Sequence, residues 1–167
     1  MEKLEKINLK NQKGITLIAL VVTIVVLLIL AGITINMGTQ SIKDSREDTL
    51  LSELGMVQNA ILQRKTKADL TDEAYPGDKI DIATVNSVIA EINSQQTGED
   101  IELKDNSAGK ENNYYLLTTS NNGLNNLGIT KSENEYIVNY ETGEVINSTT
   151  KVTESGKPLY IYAKEVN

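Results

Sequence analysis

The side chains that perform most enzyme chemistry near neutral pH are missing from this chain. It has 167 residues without a cysteine or a histidine, so it lacks a thiolate nucleophile, the commonest general base and the commonest transition-metal ligand. Carboxylate pairs such as Asp72–Glu73 and Glu99–Asp100 remain. Adjacent carboxylates in polar stretches are usually solvated, and no phosphate-binding loop, nucleophile elbow or zinc-ligand spacing occurs. The sequence therefore predicts a protein that is not an enzyme and holds no cofactor.

An acidic stretch between residues 69 and 81 is a second place where chemistry could occur. Its carboxylates are Asp69, Asp72, Glu73, Asp78 and Asp81. Carboxylate oxygens suit Ca²⁺, but their spacing does not fit an EF-hand loop. The segment Tyr75-Pro76-Gly77-Asp78 is typical of a turn. We therefore predict a solvated acidic loop and no metal site, with a calcium site as the alternative.

The stretch that organises the chain lies near its N-terminus, where no charged residue occurs between Lys13 and Lys43. Its apolar part runs from Ile15 to Ile35. About 20 residues with a rise of ~1.5 Å each span about 30 Å, the thickness of the hydrocarbon core of a bilayer. Lysines before the stretch and mixed charges after it predict a cytoplasmic N-terminus and an extracellular C-terminus. Residues 15–38 are therefore predicted to form a single transmembrane helix.

The beginning of this stretch resembles the signal of a known family. Lys13-Gly14 is followed by Ile15-Thr16-Leu17-Ile18-x-Leu20 and a long apolar helix, which resembles the prepilin signal of type IV pilins and type II secretion pseudopilins. The resemblance implies that residues 1–14 are a leader, which a membrane-embedded prepilin peptidase cleaves after Gly14. It also implies N-methylation of the new terminus at Ile15. Glycine suits the cleavage position because it has no side chain and relaxes the backbone.

The resemblance also implies partners and a location. The partners are like pilin subunits, the prepilin peptidase, a pilus or secretion assembly platform, and membrane lipid before assembly. The protein is expected in the cell membrane first and in an extracellular filament afterwards. Without residues 1–14 the chain has 12 basic and 21 acidic side chains, a net charge of about −9 that repels nucleic acid. No direct contact with nucleic acid is expected.

One residue departs from the family pattern. The fifth residue of the mature chain is usually a glutamate, which pairs with the N-terminal amine of a neighbouring subunit, whereas this chain has Ala19. The variant Thr16-Leu17-Ile18-Ala19-Leu20 resembles pilin-like proteins of Gram-positive Firmicutes. The departure leaves two roles open, a major subunit of the filament shaft and a minor subunit at the filament tip.

The remainder of the chain predicts an α+β fold of the type IV pilin kind. In residues 39–66, Leu50, Leu54, Val57 and Ile61 recur every three or four residues, which is typical of an amphipathic continuation of the long helix. Residues 67–167 are predicted to form a globular head. It begins with a loop over 67–80 and a short helix over 82–94 that Asp81 caps.

Strand patterns dominate the last third of the chain. Segments with strand-like composition occur at 101–104, 114–119 and 157–163, with a helical turn between 121 and 129. The clearest pattern is a β-hairpin of residues 135–147, with Tyr136, Val138 and Tyr140 on one face. Helices followed by strands predict a small antiparallel sheet packed on the long helix.

Together these patterns predict a pilin-like structural subunit that assembles through its hydrophobic helix into a type IV pilus or pseudopilus. The alternative is an uncleaved single-span protein that presents an acidic extracellular binding module. The two hypotheses differ in the first residue of the mature protein, which is Ile15 in the first and Met1 in the second. Motility, adhesion, secretion and DNA uptake stay open as roles of such a filament.

Overall fold

The structure is a computed structural model. It describes the backbone of residues 2–104, 113–120 and 122–163, and the side chains of the same residues except 2–16 and 32–38. The chain forms two compact units, Met1–Ser45 and Arg46–Asn167. Helix α1, Glu2–Thr71, contributes to both of them.

The first unit carries an apolar helix surface, defined here as the side chains of Leu17–Leu30. All its large side chains are exposed, between 46% and 68%. Thr23 is the one polar residue in this range, and its hydroxyl donates to the carbonyl oxygens of Ala19 and Leu20 at 2.8 Å. The predicted transmembrane helix covers 15–38, and the side chains of 15, 16 and 32–38 lie outside the described residues. Among the described residues, no helix has an apolar stretch that is long enough to cross a membrane.

The second unit begins with the amphipathic part of α1. Leu54, Val57 and Ile61 are fully buried, and Leu50 packs against the same core. The predicted apolar stripe is therefore confirmed. The predicted end of this helix at residue 66 is wrong, because α1 continues to Thr71.

The extra helical turn has a physical basis that the loop prediction missed. Ala68 lies seven residues after Ile61, about two helical turns, and is buried. Lys65 and Asp69 form an i,i+4 ion pair at 3.1 Å, which favours the helix. The helix ends where Asp72 adopts a left-handed φ of 55°, while its N–H still donates to the carbonyl oxygen of Ala68.

A five-stranded antiparallel sheet confirms the predicted α+β class. The strands follow chain order across the sheet, so each pairs with its neighbours in sequence. Val138 lies opposite Val145, and Ile137 lies opposite Ile146, which confirms the predicted hairpin. The strands are β1 Asp78–Lys79, β2 Tyr114–Leu117, β3 Tyr136–Asn139, β4 Glu144–Asn147 and β5 Tyr160–Ile161.

Both faces of the sheet are covered. On one face, Tyr136, Val138 and Tyr140 pack with the buried residues of α1, so the predicted shared face is confirmed. On the other face, Ile137 and Ile146 pack with the buried residues of helix α2, Ile82–Gln95. Since neighbouring residues of a strand point to opposite faces, two helical layers explain why all residues of β3 and β4 are buried.

The remaining local predictions have mixed outcomes. Asp81 caps α2 as predicted, and its carboxylate accepts a hydrogen bond from the N–H of Ala83. A 3₁₀ helix at Leu124–Leu127 confirms the predicted helical turn. The strand predicted at 101–104 is wrong. Leu103 is nevertheless buried in the core beneath α2. The weak alternation of this segment therefore reflects one anchoring side chain and no strand pairing.

Two glycines give a testable contrast in stability. Gly123 lies so close to β2 that a Cβ atom would approach the carbonyl oxygen of Thr118 to 2.2 Å, whereas Gly55 has open space in the middle of α1. Gly123→Ala should lower the free energy of unfolding by about 2 kcal/mol or more, and Gly55→Ala should raise it by about 0.5–1 kcal/mol. Urea denaturation of the full chain in detergent, followed through its tyrosines, measures both. Equal effects of the two substitutions would contradict the packing at Gly123.

Candidate assembly site

The predicted processing site lies within α1. The backbone of Gly14 and Ile15 is helical, and their side chains lie outside the described residues. No structural measurement therefore tests cleavage after Gly14 or methylation at Ile15, and both stay predictions.

Ala19 lies at the beginning of the apolar helix surface and is exposed. Its neighbours along the helix face include Thr23, whose hydroxyl group is bound to the carbonyl oxygen of Ala19 itself. No residue from Leu17 to Leu30 is ionisable, and the hydroxyl of Thr23 donates within its own helix. The surface can be buried in lipid or against other apolar helices without an ion pair.

This surface has a large free energy of burial. Removing apolar area from water contributes about 25 cal/mol per Å², and isoleucine, leucine and valine supply nearly every side chain between Leu17 and Leu30. Such a contiguous apolar surface is much larger than the patches that soluble monomers expose. The arrangement therefore indicates a segment that is covered by something outside its own unit.

Two carboxylates of the acidic stretch between residues 69 and 81, Asp69 and Glu73, form ion pairs within the second unit. Glu73 lies 2.9 Å from Arg64 and 3.2 Å from Lys67, and Lys65 bridges Asp69 and Glu141, each at 3.1 Å. Among the residues that the structure describes, no three His, Cys, Asp or Glu side chains are grouped so that they could hold a metal ion. Asp69 and Glu73 thus pair with basic residues of α1, while the ion pair between Lys65 and Glu141 links the end of α1 to the hairpin.

Three tyrosines near this end of α1 form an aromatic cluster. Tyr75 stacks on Tyr140 with ring centroids 4.3 Å apart, and Tyr115 meets both rings edge-on. The pKa of Tyr140 is raised, mainly by burial. Its hydroxyl therefore stays protonated and donates to the carbonyl oxygen of Pro76 at 2.9 Å. The cluster holds the loop before β1 on the sheet.

A buried carboxylate that sequence reasoning missed lies at the beginning of β4. Glu144 is fully buried and accepts four hydrogen bonds. The donors are the hydroxyls of Tyr114 at 2.7 Å, Thr142 at 2.6 Å and Tyr160 at 2.9 Å, and the backbone N–H of Lys104 at 2.7 Å. They come from β2, the hairpin turn, β5 and the segment that precedes β2. Glu144 therefore connects distant segments, and its four donors indicate a structural role.

No local pattern indicated a buried Glu144, because a glutamate that follows Gly143 in a hairpin is expected to be a solvated turn residue. The informative signal would have been Tyr114 and Tyr160 on strands that the sheet brings together. Burial raises the pKa of Tyr160 most, followed by the negative charge of Glu144. The Tyr160 hydroxyl thus stays a donor at any physiological pH.

A second carboxylate, Glu47, fixes the first turn of α1 in this unit to the turn over residues 153–157. Its oxygens accept hydrogen bonds from the hydroxyl of Ser155 at 2.5 Å and from the ammonium of Lys157. The pKa of Glu47 is lowered below its ordinary value of 4.5. The hydrogen bond from Lys157 is the larger cause, and the hydrogen bond from Ser155 is the next.

The lowered pKa of Glu47 predicts a pH dependence. A carboxyl group whose pKa is lower in the folded than in the unfolded state stabilises the fold at pH values above the unfolded pKa. This stabilisation is lost as the pH falls through the folded pKa. At pH values below about 4.5, the melting temperature of the wild type should therefore decrease more steeply with falling pH than that of Glu47→Gln. Thermal melts of both proteins between pH 3 and pH 7, in steps of about half a unit, measure this. Parallel curves for the two proteins would contradict the predicted contribution of Glu47.

The family described as the prokaryotic N-terminal methylation motif matches residues 9–35. This match supports the resemblance of Lys13–Leu20 to the N-terminal signal of the type IV pilin and pseudopilin family. The family is a structural group and not a group of enzymes. Residues 36–167 lie outside the match. No curated protein and no solved structure matches the chain.

Proposed function

We propose that this protein is a pilin-like structural subunit that is made as a membrane-anchored precursor and assembled into a type IV pilus or pseudopilus. The match to the N-terminal methylation motif over residues 9–35 carries this proposal. The exposed apolar helix surface of Leu17–Leu30 supports it, since a lipid bilayer and a bundle of like helices are both able to cover it.

Processing is the first step of the proposed function. A prepilin peptidase removes residues 1–14, and the new N-terminus at Ile15 is methylated. Residues 15–38 anchor the precursor with its N-terminus in the cytoplasm and its C-terminal unit outside the cell. An assembly platform then moves the subunit from lipid into the filament.

Assembly exchanges one apolar environment for another. In the bilayer the helix surface contacts lipid, and in the filament it contacts the helices of neighbouring subunits, so no apolar area meets water at either stage. The absence of a carboxylate at Ala19 means that neighbouring helices associate without the ion pair to an N-terminal amine. This feature suits either a Gram-positive major subunit or a minor subunit at the tip.

Electron microscopy of the native host, with and without this protein, tests the proposed function. Loss of surface filaments on deletion, and their return when the intact chain is supplied, would support a major subunit. Filaments that persist but contain the protein at low copy number would support a minor subunit. A protein that is never found in filaments and keeps Met1 would favour the uncleaved binding module instead.

Gly14 gives a prediction at the level of a single residue. Gly14→Leu should leave the protein at precursor length and reduce filament formation by about 100-fold or more, because a bulky side chain beside the scissile bond blocks the peptidase. Immunoblots of cells that contain the peptidase measure the precursor-to-mature ratio. Asn11→Leu, a comparable change within the leader, is the matched control and should be processed normally. Normal processing of Gly14→Leu would contradict the assigned cleavage site.

A further inference from the structure

The C-terminal unit has an open groove between α1 and the loop that follows the 3₁₀ helix. Residues 48–56 form one wall, and residues 128–132 form the other, around a volume of about 590 Å³. This volume lies within the range of about 300–1,000 Å³ that is typical of small-molecule sites. Most of the lining is polar, since Met56 and Ile129 supply its two large apolar side chains. A ligand of this groove must therefore be hydrophilic over most of its surface.

Two opposite charges line the groove on opposite walls. Asp48 belongs to the α1 wall, and Lys131 belongs to the loop wall. With the residues that the structure describes, neither side chain forms an ion pair or a hydrogen bond. Glu53 adds a second carboxylate to the α1 wall, and the side-chain amide of Asn134 orients it at 3.3 Å. The groove therefore offers charged donors and acceptors to a ligand.

Tyr136 supplies an independent observation beneath the groove. Its side chain is fully buried, and its hydroxyl has no hydrogen-bond partner in the described part of the chain. Burial and then the charge of Glu53 raise the pKa of Tyr136, and Ser132 also influences it. Since Glu53 and Ser132 belong to the two walls, the protonated hydroxyl lies at the floor between them. Buried polar groups nearly always have a partner, so this hydroxyl indicates one that enters from the groove.

The chemistry of the lining disfavours several classes of ligand. Two carboxylates against one ammonium group repel phosphates, nucleic acids and other anions. Among the residues that the structure describes, no three His, Cys, Asp or Glu side chains are grouped to hold a metal ion. Two apolar side chains are too few to cover a lipid or an apolar helix.

A neutral polyol matches the lining. Its hydroxyl groups donate to carboxylates and also accept from lysine, serine, threonine and tyrosine side chains. The C–H groups of a sugar ring are apolar, and Met56 and Ile129 provide a surface for them. The mixture of free charges, hydroxyls and a small apolar patch therefore favours a saccharide.

We propose that the groove formed by residues 48–56 and 128–132 binds a neutral saccharide. Asp48 and Glu53 accept hydrogen bonds from hydroxyls of the sugar, and Lys131 and Tyr136 donate to its oxygens. This inference goes beyond the proposed function, because it concerns the C-terminal unit alone. It applies to an assembled subunit and to an uncleaved anchored protein alike.

A binding array tests the class of ligand. The uncleaved full chain, in a detergent without a sugar headgroup, is applied to neutral oligosaccharides, acidic oligosaccharides and a peptide library. The neutral oligosaccharides should retain the protein. Retention by acidic oligosaccharides or by peptides in their place, or no retention at all, would overturn the proposal. Since the uncleaved chain is used, such a failure leaves cleavage after Gly14 and assembly untouched.

Two substitutions test the location of the saccharide, with the neutral oligosaccharide that the array retains as the probe. Asp48→Asn should weaken its binding about ten-fold. Asp72→Asn, the same change at an exposed carboxylate outside the groove, is the matched control and should leave binding unchanged.

Tyr136→Phe should weaken binding of the same probe roughly three-fold or more. Its melting temperature should stay equal or rise, because the variant no longer buries an unpartnered hydroxyl. Tyr162→Phe changes an exposed tyrosine and should bind like the wild type. Unchanged binding in either Asp48→Asn or Tyr136→Phe would overturn the assigned site.

Discussion

Glu144→Ala should lower the free energy of unfolding by about 3 kcal/mol or more, the largest single effect that the C-terminal unit offers. The substitution removes the acceptor of four hydrogen bonds. It leaves the hydroxyls of buried Tyr114 and half-buried Tyr160, and the N–H of Lys104, without that partner. Each unsatisfied buried donor costs about 1–3 kcal/mol, and the vacated volume adds a cavity cost.

The seven tyrosines provide the measurement for Glu144→Ala, since all of them lie at position 75 or later. Urea denaturation of the full chain in detergent, followed by tyrosine fluorescence, therefore reports on the C-terminal unit. Glu102→Gln removes an exposed carboxylate and is the matched control, with an expected change within about 0.5 kcal/mol. A change below about 1 kcal/mol for Glu144→Ala would show that its hydrogen bonds contribute little.

Ile24→Asp should abolish stable membrane anchoring and assembly. Ile24 lies in the middle of the apolar helix surface and is exposed. An aspartate at the centre of a membrane helix costs about 2.5–3.5 kcal/mol, which corresponds to a roughly 100-fold loss in an equilibrium constant. The same carboxylate would be buried without a partner between helices in a filament, so neither environment accepts it.

Cell fractionation and electron microscopy measure the two effects of Ile24→Asp. Ile24→Leu keeps the apolar character and should behave like the wild type in both measurements. Thr23→Val tests the neighbouring position, and it should also be neutral because the Thr23 hydroxyl bonds only within its own helix. Wild-type anchoring and filament yield for Ile24→Asp would contradict the assigned role of this surface.

The local elements of this fold could be predicted because their patterns are local. The spacing of Leu54, Val57 and Ile61 repeats within one helix, and the alternation of Tyr136, Val138 and Tyr140 repeats within one hairpin. Asp81 precedes the apolar positions of α2 as a capping residue should. In each case the physical cause acts over a few residues, so the sequence alone contains it.

The features that escaped prediction depend on residues that are far apart in sequence. Glu144 meets Tyr114 across 30 positions and Lys104 across 40. The coverage of the second sheet face by α2 depends on how α2 crosses Ile137 and Ile146. None of these juxtapositions has a local pattern.

The family match and the fold inform different parts of the chain. Residues 9–35 match the prokaryotic N-terminal methylation motif, and the C-terminal unit supplies a sheet with a helix on each face. Ala19 departs from the pattern of the family that this segment resembles, which usually has a glutamate at this position. In the proposed assembly, the helix therefore makes no ion pair there.

The first residue of the mature protein tests the central claim most directly. The full chain is produced together with a prepilin peptidase, purified from membranes, and its N-terminal peptide is determined by mass spectrometry. A terminus at Ile15 that carries one added methyl group is expected when the methylating activity is present. A protein that keeps Met1, or one that is cleaved beyond Ile35, would contradict the central claim.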